Sequence, residues 1–348
     1  MNELSSDPPH AVSAGLDEVV AEMVEQFRRG AVVANAGGLG HTSFADVPDV
    51  SEMVNAMLSP ADAEAFGAVS ISREDGLRAS RGGDQAKAAE RIGEARRLLD
   101  GADLTPSARL LAESLYSSAA AYVRYRQGDL AGARRDLDEA IASSNALWDE
   151  HGFRGAEARR LHLAHLIVRV EARLGGDPWD VVQTVCRLWD YLEGNTAAWP
   201  FAPYARAGAE VNRRMAMLML NEIVTEFAVL LAEHPEVETA ALDLLHREQR
   251  ARHPADPYPF SYARAWLTAR QALHGDDPAA ALQKAGPFLG VVDGPRPLLW
   301  QSVVRDTVRL CRTLPGAAGR AAETLAAGAL ADHTVPDCLR IDRSPHPA

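Results

Sequence analysis

Lysine is almost missing from this chain of 348 residues, standing only at Lys87 and Lys284, so nearly all of its 36 basic residues are arginine. Together with abundant alanine this reads first as a GC-rich coding bias and second as a preference for guanidinium chemistry. The 48 acidic residues outnumber the basic ones and leave a formal net charge of -12. Such a balance argues against a general nucleic-acid binder, because neutralising phosphates needs a basic face, and leaves room only for a local basic patch. Cysteine is equally scarce. Cys186, Cys311 and Cys338 lie far apart and form no CxxC pair, which excludes a disulfide framework or a zinc knuckle and fits a reducing compartment. No apolar run reaches the length of a membrane span, and MNELSSDPPH has neither a basic n-region nor an apolar h-region. The expectation is therefore a cytoplasmic protein without membrane or nucleic-acid partners. Alternating β-branched runs are missing too, and with them the signal for strands.

What is present is helical periodicity in a chain that is 47% hydrophobic and 24% charged, enough apolar content to fold. Leu111, Leu115, Ala119 and Tyr122 share one helix face, and most long segments repeat that pattern. Breakers separate them: GGD at Gly82, GD at Gly128, GGDP at Gly175, HP at His234, GDDP at Gly275 and LPGAAG at Leu314. Aligned on Gly83, Gly128 and Gly176, the positions five, nine and twelve residues later are all small or apolar. They read Ala88, Ile92, Ala95, then Ala133, Leu137, Ala140, then Val181, Val185, Leu188. A fourth copy from Gly275 begins with Ala280 and then departs at Lys284 and Pro287, while HPEVETAALDLL from His234 supplies a unit between the third and fourth copies. Recurring glycine–aspartate turns between helix pairs are a signature of stacked helical hairpins.

The stretch SLYSSAAAYVRYRQGDLAGARRDLDEAI resembles a tetratricopeptide repeat, with Tyr116, Ala119, Ala120 and Val123 filling the first helix and the turn glycine opening the second. The resemblance covers roughly residues 65 to 290 and implies an all-α fold, a right-handed α-α superhelix of helical hairpins. The layout expected is a disordered leader over 1–13, an N-terminal helical cap over 14–60, a repeat array over 61–334 and a loosely ordered tail over 335–348. Leu16, Val19, Val20, Met23, Val24 and Phe27 form the buried face of the cap, which is expected to cover the first repeat. A connector with a short helix at Val50 to Leu58 completes it.

Catalytic motifs are sparse. NAGGLGHTS, Asn35 to Ser43, has glycines but neither the GK[ST] ending nor a preceding strand that a phosphate loop needs, and reads as a helix end and connector. His162 with His165, and Asp243 with His246, have helical spacing compatible with a carboxylate–histidine site, but paired ExxH motifs are absent, so solvated or hydrogen-bonded histidines are the simpler reading. There is no GxSxG elbow and no cysteine beside a histidine. No cofactor is implied, and no catalytic residue is assigned.

The resemblance implies that the first helix of each hairpin lines a concave groove. That register places Ser114, Ser117 and Arg124, then His162, His165 and Arg169, then Ser261, Arg264 and Thr268 in it, with Arg214, Asn221 and Thr225 on one face of the long apolar helix between. Four arginines and two histidines suit a carboxylate- or phosphate-bearing ligand. The expectation is a non-enzymatic helical-repeat protein whose groove, formed by Arg124, His162, His165, Arg169, Arg214, Asn221, Thr225 and Arg264, takes an acidic peptide or partner protein. The alternative is an enzyme or small-molecule sensor of a biosynthetic pathway that uses the same groove as a pocket for an anionic small molecule.

Overall fold

The structure, a computed structural model, describes residues 9–36, 54, 58–153, 155–201, 213–252, 262–291 and 296–343, with backbone alone at 9–14, 213–214 and 249–252. Among the described residues there are thirteen α-helices, short 3-10 turns and no strand. Two compact units divide the chain: residues 41–223 form one, and residues 1–40 with 224–348 form the other. Both the connector glycines Gly37 to Gly40 and most of the short helix expected at Val50 to Leu58 lie outside the described residues.

The first helix, α1 (Pro9–Ala36), belongs to the terminal unit. The central unit contains α2 (Pro60–Arg81), α3 (Gln85–Gly101), α4 (Pro106–Gln127), α5 (Leu130–His151), α6 (Ala156–Glu171) and α7 (Pro178–Leu192). They pair as hairpins through the glycine–aspartate turns. Gly83 and Gly128 adopt φ of 86° and 83°, a region closed to most L-residues, and the aspartate that follows caps the next helix. Asp84 accepts from the Lys87 N–H at 3.0 Å, and Asp129 from the Gly132 N–H at 2.9 Å. Asp177 accepts from the Trp179 N–H at 2.9 Å, and Asp277 from the Ala280 N–H at 3.1 Å. Each carboxylate satisfies a backbone donor that the helix itself leaves unpaired.

The cap aspartate, rather than the glycine, sets the repeat register. Four, eight and eleven residues after it come Ala88, Ile92, Ala95, then Ala133, Leu137, Ala140, then Val181, Val185, Leu188, all buried. The fourth turn carries one extra residue between Gly275 and its cap, so counting from Gly275 misplaces that copy. Counted from Asp277, Ala281, Ala285 and Phe288 occupy the same buried column.

Besides α1, the terminal unit holds α9 (Pro235–Arg252), α10 (Tyr262–Leu273), α11 (Pro278–Leu289), α12 (Pro297–Thr313) and α13 (Ala317–Gly328). The expected apolar face of α1 is buried at Val20, Met23 and Phe27. Its partners within the terminal unit are α11, α12 and α13. Phe27 stacks on Trp300 at 5.4 Å, and Gly30 lies so close to the Leu289 carbonyl that a Cβ would stand 1.8 Å from it. Complementary side chains thus outweigh sequence proximity in choosing the partner of α1. The first helical turns start at Pro9, inside the segment expected to be a leader.

Residues 335–343 dock on the terminal unit. Val335, Leu339 and Ile341 are buried, Gln301 donates to the Leu339 carbonyl at 3.0 Å, and Arg305 donates to the Cys338 carbonyl at 3.0 Å. Residues 344–348 of the expected tail lie outside the described residues. The long apolar helix α8 (Arg213–Glu233) contains the boundary between the units. Its stretch Met215–Glu233 is long and apolar enough to cross a membrane, and two-thirds of that window is buried inside the protein, as in a core helix.

The register makes a direct prediction. Ala133 is fully buried where α5 meets its neighbours, whereas Ala131 is exposed. Ala133→Leu should overpack the interface and cost about 1–3 kcal/mol, while Ala131→Leu should leave stability nearly unchanged. Thermal melts of the two variants side by side check this, and equal melting temperatures would contradict the register.

Candidate functional site

Within the central unit, one face of α6 carries Arg159, His162, His165 and Arg169 at helical spacing. Arg159 is buried, and its guanidinium is pinned to α4: Nε donates to Ser114 Oγ at 3.2 Å, and Nη2 donates to the Ser114 carbonyl at 2.9 Å and to Ser118 Oγ. Ser114 Oγ also lies 2.8 Å from Ser144 Oγ of α5. Ser114 thus sits in the packing seam of three helices, with no exposed surface to offer a groove. Ser117 is buried as well.

Near Arg159 stands Arg73 of α2, which sequence reasoning missed. Only 14% of its side chain is exposed, it is ion-paired with its neighbour Glu74, and its buried Nε has no hydrogen-bond acceptor. Burial first, and the charge of Arg73 second, push the Arg159 guanidinium down to about 9. Burial likewise lowers His162 well below the ordinary histidine range, helped by Arg159, His165 and Arg169, so its imidazole is neutral at physiological pH. The rings of His162 and His165 are 6.2 Å apart, and Arg169 Nη2 lies 3.3 Å from His165 Nε2. Arg159, His162, His165 and Arg169 therefore share one face of α6, and Arg73 of α2 is close enough for its charge to act on Arg159.

The other expected groove residues fall elsewhere. Arg124 is exposed at the end of α4 and pairs with Asp129 at 3.0 Å and Asp136 at 2.8 Å, so its charge is engaged by its own hairpin. Asn221 and Thr225 are half-buried on α8, on either side of the boundary between units, and the Arg214 side chain lies outside the described residues. Arg264 is half-buried and Thr268 exposed on α10 of the terminal unit, while Ser261 lies outside the described residues. Of the eight residues, the structure brings His162, His165 and Arg169 together. Arg159 was legible, three residues before His162 on the same face, but Arg73 had no local mark.

The terminal unit holds a second cluster that sequence reasoning missed. Arg270, fully buried on α10, contacts Glu238 of α9 through Nη2 and Asp306 Oδ2 of α12 through Nε at 2.5 Å. Arg305 closes the ring, 3.3 Å from Glu238 Oε1 and 2.9 Å from Asp306 Oδ1. His274 Nε2 stands 3.7 Å from each carboxylate. The ligand atoms of Glu238, His274 and Asp306 lie within 4.8 Å of one another, the one such triad among the described residues. However, the two carboxylates are already balanced by two guanidiniums, and a divalent ion would have to displace Arg270 or add uncompensated charge to a buried site. The arrangement is a charge network that ties α9, α10 and α12. Asp243 of the DxxH pair is exposed on α9, and His246 is half-buried.

This network generates a pH prediction. Burial alone would raise Asp306, but Arg270, His274 and Arg305 outweigh it and hold the carboxyl well below its ordinary range. A depressed folded-state value means stability that is present above the unfolded carboxylate value, about 3.9, and lost as pH falls below it. Denaturant melts between pH 6 and 2 should show that loss, and Asp306→Asn should flatten it. Arg270→Met, which leaves two buried carboxylates to one guanidinium, should cost about 3–5 kcal/mol at neutral pH. A variant as stable as the parent would remove the network from the stabilising interactions. No protein-family model, no curated protein and no solved structure matches this chain.

Proposed function

We propose that the chain is a helical-repeat binding protein of tetratricopeptide-like, superhelical architecture, whose central unit recognises an acidic segment of a partner protein through the face of α6 and the nearby residues of α2. The observation that carries this reading is the gathering of Arg73, Arg159 and Arg169 with His162 and His165. Guanidinium and imidazole donors on one helix face suit the oxygens of a carboxylate-bearing segment. The stable hairpins, closed by capped turns, supply a rigid frame that loses little entropy when a segment docks. Nothing in the cluster resembles a nucleophile with its base, which favours recognition over catalysis. A second reading, a pocket for a small anionic metabolite, draws on the depth of Arg159 and follows the same chemistry.

The test is affinity capture from native extract followed by mass spectrometry of proteins and small molecules, with parent and Arg169→Glu proteins compared. Arg169 is half-buried and its guanidinium lies beside His165, so reversing its charge should leave the melting temperature within a few degrees of the parent. Binding of the captured partner should fall by more than about tenfold, because a charge-assisted contact becomes a repulsion. Undiminished binding by Arg169→Glu, or a large loss of stability without a separate binding defect, would overturn the assignment. Recovery of a tight metabolite without protein would select the second reading.

A further inference from the structure

In the terminal unit, α12 is buried from Leu299 to Val308, and Gln301, Arg305, Val308 and Arg312 follow one another along one of its faces at helical spacing. Residues 330–343 lie across that face. They form two short 3-10 turns and otherwise run extended, with ψ between 137° and 148° at Ala331, Val335, Pro336 and Arg340. The polar side chains of α12 reach main-chain atoms of this segment. Gln301 Nε2 donates to the Leu339 carbonyl at 3.0 Å, Arg305 Nη1 to the Cys338 carbonyl at 3.0 Å and Arg312 Nη2 to the Asp342 carbonyl at 2.6 Å, while Gln301 Oε1 accepts from the Leu330 N–H at 3.1 Å. The segment buries the side chains of Val335, Leu339 and Ile341. Between them Asp337 and Arg340 stay exposed and pair with each other at 2.7 Å. Cys338 lies against α8, its Sγ 4.0 Å from the Val229 carbonyl.

We infer that this face of α12 is a docking surface for an extended segment of a partner protein, and that residues 331–343 are its intramolecular occupant. A segment that served only to close the core could be held by apolar packing alone. Here Gln301 and Arg305, both almost fully buried, spend their polar atoms on main-chain groups, which are the same in any sequence. Main-chain bonds of that kind set the course of an extended peptide, and pockets for its side chains select which peptide it is. Three aliphatic side chains supply the selection, spaced four and two residues apart at Val335, Leu339 and Ile341, so the partner segment carries aliphatic residues at that spacing with polar residues between them. Without an extended main chain on this face, the buried donors of Gln301 and Arg305 lose their carbonyl acceptors, a cost that a docked segment removes. The chain's own segment is tethered and so present at high effective concentration, which lets it exclude a free segment of equal fit until it opens locally. The surface shares no residue with the face of α6, so each proposal stands or falls alone.

Fluorescence anisotropy tests this with a labelled peptide of residues 331–343 and the full chain, either as the parent or with Leu339→Asp and Ile341→Asp together to release its own segment. The peptide should bind the released chain at least about tenfold more tightly than the parent, because the tethered competitor has gone. A peptide carrying the same two substitutions should not bind, whereas one with Asp337→Ala and Arg340→Ala should bind within about threefold of the native peptide, since those side chains face solvent. Adding Arg312→Met to the released chain should weaken the native peptide by about tenfold through loss of a charge-assisted bond to a carbonyl. Hydrogen exchange on the parent gives a reading that does not depend on how the released chain folds. The Leu339 and Arg340 amides, bonded within the segment at 2.9 and 3.1 Å, should exchange at least about a hundredfold faster than the buried amides of α12. Equal protection would mean that the segment opens only with the whole unit and would overturn the inference, as would a folded released chain that does not bind the native peptide. A parent dimer that the peptide dissolves into monomers would overturn the partner-protein occupant in favour of a second copy of the chain.

Discussion

Two helices of a hairpin can approach closely only where one of them presents a small side chain, and the turn between them decides which residue that is. In this protein the cap aspartate fixes the count. Once its carboxylate takes the backbone N–H two or three residues on, the residue four positions after it faces inward, and in four hairpins that residue is Ala88, Ala133, Val181 or Ala281. Larger apolar groups at the next inward positions, Ile92, Leu137 and Val185, fill what the small residue leaves open. The turn glycine is secondary. It admits the left-handed backbone at Gly83 and Gly128, but its distance from the cap varies by a residue without disturbing the packing.

The copy that begins at His234 obeys the same count with one exception. Eight and eleven residues on, Leu242 and Leu245 are fully buried, yet four residues on the chain places Glu238. A carboxylate in the column of small residues cannot reach water, so it must be met by charge from neighbouring helices. Arg270 and Arg305 meet it, and Asp306 completes the balance. One departure from the repeat rule therefore accounts for four buried ionised groups. Such a ring resists sliding of α9 against α10 and α12, because any displacement leaves a charge unpaired.

How far the sequence could be read follows from the range over which each signal acts. Helix identity, the three clear hairpins and the buried face of α1 rest on local periodicity and capping, and all were legible. The partner of α1 was not, because that pairing depends on Phe27 meeting Trp300 and on Gly30 meeting the Leu289 carbonyl, contacts between opposite ends of the chain. The fourth copy was misread for a local reason, an extra turn residue that shifts glycine but not aspartate. Of the candidate site, His162, His165 and Arg169 could be placed on one face by spacing alone. Arg73 could not, since nothing around it distinguishes a buried arginine from an exposed one. The Glu238 network was in principle visible as a charged residue in an apolar column, once the column was counted from the cap.

The two arginine clusters differ in the contacts that hold their guanidinium groups. In the terminal unit each guanidinium has a carboxylate within contact distance, so the network is complete as the chain folds. In the central unit Arg159 is oriented by serine oxygens, and burial together with Arg73 pushes its guanidinium down to about 9. The chain carries 48 acidic residues and an overall charge of -12, so negative groups are not scarce. A protein so acidic repels anions at long range, and salt screens that repulsion beyond about 10 Å, so the proposed face of α6 would act on an anion only at close approach. On the proposed reading, selectivity for an anionic group would come from contact geometry at the face of α6 and not from the field of the whole molecule.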